Sequence, residues 1–276
     1  MNKNDILRDK TVDDFGDQWS RYTDSDGWWG SVDMLVDTLG PLIDIEDLKG
    51  ATIVEIGSGA GRIVSMLLEA GAKHVYAIEP SLDAFQVLQE NVRKMKRPTD
   101  VTVVNAYGHN FKIKETVDYA FAIGVIQFIP DPDPVLKAAY ESLKPGGHLF
   151  LWVYSYEGNS LYVRIFGLVR KVTTRLPHVV LRFLIELLYI PLFIYRYVGK
   201  IIPLPLHDYI ENVLWPMSPQ KRRLVMYDQL NPTYAKYHKR EEAIQLLEDS
   251  GFCNIRIFHR HGYSWSIIGQ KPTTQQ

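Results

Sequence analysis

The chain has 276 residues, 46% hydrophobic and 23% charged, which is ample apolar material for a sizeable core and too much for a disordered chain. Its 31 basic and 32 acidic side chains leave a net charge of −1, so no whole-molecule field points to nucleic acid. The one cysteine, Cys253, excludes an internal disulfide and a cysteine-only metal site. The acidic opening lacks the apolar run of a signal peptide, so a cytoplasmic location is expected.

Residues 1–50 are polar with clustered aromatics. Phe15, Trp19 and Tyr22 stand four and three apart, which places them on one face of a helix. Such a helix either packs into the core or closes as a lid over a site. Residues 51–155 alternate strand and helix patterns. Short apolar runs at 51–56, 74–78, 101–104, 117–123 and 149–154 read as buried strands. Amphipathic stretches at 62–70, 81–94 and 134–143 read as helices, the last closed by Lys144, Pro145, Gly146 and Gly147. Residues 156–237 form an apolar and basic insertion. Residues 238–270 return to a helix at 240–250 and two antiparallel strands at 254–258 and 263–268. The expected fold class is therefore α/β: a Rossmann-like, seven-stranded, mostly parallel sheet with a C-terminal antiparallel hairpin and a helical insertion over the site.

The sharpest local signal follows the first strand, where Gly57, Gly59 and Gly61 alternate with Ser58 and Ala60. Glycines there let the backbone turn tightly and let a ligand approach it. The spacing is not that of the dinucleotide fingerprint, and no Walker lysine follows, which argues against a nucleoside triphosphate. Glu79 ends the second strand 22 residues after Gly57, where an acid can accept both hydroxyls of an adenosine ribose.

Four ordered motifs carry a resemblance to class I S-adenosylmethionine-dependent methyltransferases. They are the glycine loop at 54–62, the acidic segment at 76–81, the fourth-strand segment at 118–131 and the segment leading into the fifth strand at 143–151. The resemblance implies that backbone at Gly57, Ser58, Gly59 and Gly61, with Glu55 of the same motif, cradles the methionine and ribose. Glu79 would hold the ribose hydroxyls, with Pro80 and Ser81 beside the adenosine. Asn105 and Ala106 would border the adenine, and Gly124 and Val125 would lie near the sulfonium. The opening with Phe15, Gly16 and Trp19 is similar to that of sugar and lipopolysaccharide-cluster methyltransferases. There Trp19 and Tyr22 would close over the cofactor, S-adenosylmethionine, whose product is S-adenosylhomocysteine.

Methyl transfer needs alignment, exclusion of water and, for a hydroxyl acceptor, a proton acceptor. Many members of that family carry a histidine pair after the fourth strand; here Gln127 and Phe128 stand instead. Gln127 can orient an acceptor but cannot act as a base. Asp228, Tyr234 and His238 lie where the chain returns from the insertion to the last helix and could face the acceptor, and His207 and Asp208 are further candidates, although none has a spacing that forces a role. The histidines are scattered, so no metal site is expected.

Between residues 161 and 206 the insertion carries Arg164, Arg170, Lys171, Arg175, Arg182, Arg196 and Lys200 against one acid, Glu186. Its apolar run is interrupted by charge, and Pro191 is expected to kink it, so spanning a membrane is not expected. Two roles remain open: a cap over an acceptor pocket, or an amphipathic surface on anionic lipid. They coexist if the small-molecule acceptor, for which a saccharide is one expectation, is lipid-linked. The basic excess also suits a phosphate or carboxylate. The alternative readings are a nicotinamide oxidoreductase and a non-catalytic membrane-associated binding protein. Nucleic acid is not an expected partner, and the sequence leaves the oligomeric state open.

Overall fold

The protein is described by a computed structural model over residues 3–21, 27–204, 207–230 and 233–273. Two helices precede the sheet, α1 (Lys3–Arg21) and α2 (Val32–Leu39). The alternating part then runs β1 (Thr52–Ile56), α3 (Arg62–Glu69), β2 (His74–Glu79), α4 (Leu82–Lys94), β3 (Val101–Asn105), β4 (Val117–Ile123), α5 (Asp133–Ser142) and β5 (Leu143–Tyr154). The insertion supplies α6 (Ser160–Thr173), α7 (His178–Gly199), the short α8 (His207–Tyr209) and α9 (Pro219–Leu230). The chain closes with α10 (Arg240–Glu248), β6 (Cys253–Arg260) and β7 (Ser264–Gln270).

The seven strands lie in the order β3-β2-β1-β4-β5-β7-β6. The ladders from β3 to β5 are parallel, and β7 runs antiparallel to both β5 and β6. The expected α/β architecture is therefore the observed one. Its cause is burial on both faces: Ile53, Val54 and Ile56 of β1 are covered on either side by separate apolar clusters. One cluster joins α2, α3 and α4 to the sheet, and the other joins α5 and α10. The strand order reverses between β1 and β4, so the loops after their C-terminal ends diverge and leave a crevice, the place where open α/β sheets bind ligands.

One sequence expectation is corrected. The segment 144–147 does not close a helix but belongs to β5, which starts at Leu143 opposite Val117 and resumes pairing at His148 opposite Tyr119. The extra residues are absorbed as a bulge in which Gly146 takes φ +81° and Gly147 lies too close to the Asp118 carbonyl for a side chain. Pro191 lies inside α7. α7 runs through it as one 22-residue helix, forgoing the hydrogen bond that a proline nitrogen cannot give.

Within the insertion, α9 is the spine. Leu181 and Ile185 of α7 pack with Tyr227 and Leu230 of α9. A second cluster of Ile210, Val213, Leu214 and Met217 reaches back to Trp28 and Trp29. Among the described residues no helix is long and apolar enough to cross a membrane.

Candidate active site

A single cavity of about 1160 Å³ opens over the C-terminal ends of β1, β4 and β5. At its sheet end it is lined by Gly57, Glu79, Pro80, Gly124, Val125 and Gln127. At its far end it is lined by Leu192, Val213, Leu214, Met217 and Leu224 of the insertion. Its size passes the upper range for one small ligand, so it has room for a cofactor and an acceptor together.

The glycine loop is built by its backbone. Gly57 and Ser58 donate to the Ile78 carbonyl at 2.8 and 3.0 Å, tying the loop to β2. Gly57, at φ +77°, has Val125 against it, so a Cβ there would lie 2.6 Å from a valine methyl. Gly59, at φ +53°, is covered by the Trp19 indole at 3.1 Å from where its Cβ would stand. Trp19 thus lies on the loop, and α1 closes over the site along its length: Phe15 packs on Phe128 with ring centroids 4.7 Å apart, and Arg8 sits 5.0 Å from the Tyr107 ring centre. Tyr22 lies outside the described residues.

Glu79 is buried at the cavity wall. Its carboxylate accepts from the Gly59 and Ser81 backbone N–H groups at 2.8 and 2.9 Å. A carboxylate has about four acceptor positions, so two remain for a vicinal diol. Burial pushes its carboxyl up to about 7, against the pull of those two hydrogen bonds. Glu55 is buried beneath the loop with Oε2 unpartnered, and burial raises it to about 7 as well.

Several residues expected at the cofactor stand one layer behind it and do not line the cavity. Gly61, the left-handed N-cap of α3, makes room for Leu88 of α4. Ser58 donates from Oγ to the Glu55 carbonyl at 3.1 Å, and Ser81 is the N-cap of α4. Asn105 donates to the Glu79 and Pro80 carbonyls at 2.9 and 3.2 Å, and the Ala106 N–H donates to Glu79 at 3.2 Å. These contacts fix the end of β2 and hence the carboxylate.

Toward the insertion the wall is aromatic and hydrogen-bonded. Tyr154, at the end of β5, donates to Asp228 Oδ2 at 3.2 Å, and Gln18 of α1 donates to Asp228 Oδ1 at 3.1 Å. Gln229 donates to the Tyr154 oxygen at 3.3 Å and accepts from Tyr162 at 2.7 Å. Tyr237 stacks on Tyr154 at 5.1 Å, and Arg170 donates to its hydroxyl at 3.3 Å. Burial raises the Asp228 carboxyl above the ordinary range, while Gln18, Tyr154 and the Arg170 charge oppose it. Asp228 lines the cavity. His238, by contrast, is buried outside the lining; its backbone N–H donates to the Tyr154 carbonyl at 2.9 Å, and burial lowers its imidazole to about 4. The position expected to face the acceptor therefore ties the chain to β5 instead. His207 lies beside Glu211, and the Asp208 side chain is not among those described. Sequence reasoning did not single out Gln18, Tyr154, Tyr162 or Tyr237, although Gln18 sits inside the aromatic segment that it did single out.

Gln127 is fully buried against the cavity with neither amide atom partnered, and Trp29 and Trp152 leave their indole N–H groups without acceptors there. Buried groups left unmade in a polar corner mark a place for a ligand. Together with the cradle at Gly57 and Gly59 and the two open positions on Glu79, they fit an adenosyl cofactor.

The family description "Methyltransferase domain" matches residues 54–151. Ubiquinone biosynthesis O-methyltransferase of Hydrogenovibrio crunogenus is 21% identical over 168 residues, 60% of this chain and 69% of that protein. Phosphoethanolamine N-methyltransferase 2 of Caenorhabditis elegans is 27% identical over 106 residues, 38% of this chain and 24% of that one. For the curated relatives that follow the first, the matched stretch spans half their length or less, between 24% and 50%. A solved S-adenosylmethionine-dependent methyltransferase from Aquifex aeolicus is similar in fold, with TM-score 0.52 over 93% of this chain and 98% of the other at 14% identity. Over residues 54–151 the chain carries a class I S-adenosylmethionine-dependent methyltransferase domain. S-adenosylmethionine is its cofactor, and among the described residues no cluster of ligands for a metal ion occurs.

Proposed function

We propose that the chain transfers the methyl group of S-adenosylmethionine to a hydroxyl of a small polar head carried on an apolar tail. The observation that carries this reading is the continuity of the cavity from Glu79 and Gly57 to the aliphatic wall of the insertion, with Asp228 between the two ends. When bound, the cofactor supplies an electrophilic methyl on a sulfonium. Glu79 binds the ribose hydroxyls, and the glycine loop passes under the ligand with Trp19 across it. Gln127 orients the acceptor through its free amide. Asp228 takes the proton of the acceptor hydroxyl as the oxygen attacks, its carboxylate held in place by Gln18 and Tyr154. The insertion excludes water from the transfer.

A saccharide head is supported by the resemblance of the Phe15–Trp19 opening, which carries cavity-lining residues, to that of sugar methyltransferases, and by the stack of Tyr154 on Tyr237, a surface suited to a sugar ring. The apolar tail is supported by the aliphatic lining of the far end. Among the relatives, the names of the two described above give an O- and an N-methyltransferase. The choice of oxygen here rests on Asp228, since an amine needs no base of this kind once it is neutral.

Calorimetric titration with S-adenosylmethionine, S-adenosylhomocysteine and NADH tests the cofactor half. Binding of both adenosyl ligands is expected, and binding of NADH alone would overturn it. Transfer of a labelled methyl group to hydroxyl-bearing prenyl and glycolipid acceptors tests the other half. Label appearing only on amines would refute the oxygen assignment.

A further inference from the structure

The outer face of α7 carries one unbroken apolar stripe. Val179, Phe183, Leu187, Ile190, Ile194 and Tyr197, with Ile201 just past the helix end, recur at intervals of three and four residues, and each is at least half exposed. On α6 the exposed Ile165, Leu168, Val169 and Val172 alternate with the exposed Arg164 and Lys171, and Arg175 follows at the turn. Exposed apolar residues recurring in this register are not the singly scattered ones of an ordinary surface. Four of the other insertion charges are engaged within the fold: Arg170 with Gln229 and Tyr237, Arg196 and Lys200 with Glu211, and Glu186 with Arg223. Arg164, Lys171 and Arg175 have no ion pair among the described residues, so the face as presented is apolar and cationic.

The same helices border the cavity. Ile165 of α6 and Leu188 of α7 line it and are each about half exposed, and Pro191 lines it and is exposed too. The cavity therefore reaches the surface along this face.

We propose that α6 and α7 dock on an anionic bilayer, α7 lying in the interface plane by its apolar stripe and Arg164, Lys171 and Arg175 meeting lipid head groups, so that the cavity mouth opens toward the lipid. An apolar stripe flanked by basic residues, too charged to span, is the composition of an interfacial helix. A second copy of the chain is the poorer occupant. A twofold contact sets a patch against itself, so these cations would face cations with no acid to meet them. The proposal deepens the reading above, because it makes the bilayer the source of the tailed acceptor.

Flotation of the full chain with vesicles of phosphatidylcholine alone and of phosphatidylcholine mixed with phosphatidylglycerol tests it. Binding to the anionic vesicles is expected, at least tenfold weaker on the neutral ones. It should be lost in the exposed triple variant Phe183→Glu, Ile190→Glu, Ile194→Glu and reduced in Arg164→Glu, Lys171→Glu, Arg175→Glu. Both variants should still bind S-adenosylmethionine as the parent does, which establishes that they fold. Absence of flotation by the parent, or flotation unchanged in both variants, overturns the proposal. So does a concentration-dependent dimer in sedimentation that disappears with the apolar variant while vesicles go unbound. Transfer to a short-chain acceptor in detergent-free solution separates the two readings. If it proceeds without vesicle binding, the docking fails and the methyl transfer stands; if vesicles bind but no hydroxyl is ever methylated, the reverse holds.

Discussion

The two ends of the cavity are built by different means. At the sheet end, position is set by backbone: positive-φ glycines, N–H groups on Glu79, and strand ends stitched by Asn105 and Ala106. At the insertion end it is set by side chains, aromatic and aliphatic, around one buried carboxylate. A ligand common to many enzymes can be held by backbone geometry that leaves little to vary. A particular acceptor must be read by side chains, which can change without disturbing the sheet.

The comparison is broken most severely at Asp228. Asp228→Asn keeps the shape and the hydrogen bonds to Gln18 and Tyr154 within reach but removes the proton acceptor. Turnover on a hydroxyl acceptor is expected to fall about 10²–10⁴-fold, with cofactor affinity unchanged by calorimetry. The parent should gain activity as pH rises through the raised Asp228 pKa, because only the ionised carboxylate accepts a proton. Undiminished turnover in the variant would remove Asp228 from the chemistry.

Next comes Glu79. Glu79→Gln is expected to weaken S-adenosylmethionine about 10–100-fold, the loss of hydrogen bonds to a charged group, while leaving an acceptor's KM in place. The ligand-free carboxyl stands near 7. Ribose hydroxyls favour its ionised form, so binding lowers that pKa, and the parent's affinity should fall as pH drops below about 7. A pH-independent affinity would show that the diol is held elsewhere.

A smaller effect belongs to Glu55. Its carboxyl is raised from 4.5 to about 7 by burial, so between those values the folded protein keeps a proton that the unfolded chain has released. Its contribution therefore weakens stability as pH climbs through that window and is constant above it. Glu55→Gln should raise the unfolding free energy by up to about 3 kcal/mol at pH 8 and leave it nearly unchanged near pH 4.5. Chemical denaturation at the two pH values measures the difference directly.

The same contrast governs what could be read from sequence. The strand and helix alternation was legible because period and composition are local, and the antiparallel hairpin of β6 and β7 followed from its tight turn. Gly57, Glu79 and Gly124 lie on the cavity because a motif in one loop fixes its own position relative to the strand it ends. Gly61, Ser81 and Asn105 belong to the same motifs yet serve the loop rather than the ligand, a distinction between adjacent residues that spacing does not carry. The acceptor wall was the least legible. Gln18, Tyr154 and Asp228 meet across 210 and 74 positions of sequence, and only the packing of α1 and α9 over β5 brings them together.

Gln127 sits at the junction of the two ends and offers the finest test. Its amide is fully buried with both polar atoms unpartnered, a cost carried by the ligand-free protein. Gln127→Met keeps the volume and removes the polar atoms. The variant is expected to be more stable than the parent by about 1 kcal/mol without ligand, to bind the cofactor nearly as well, and to show a raised KM for the acceptor. Such a trade of stability for acceptor affinity would place the amide on the acceptor rather than in the fold. A less stable variant would instead mean that the amide already has a partner in the unliganded protein, and the polar corner between Gly124 and Trp152 would then belong to the scaffold.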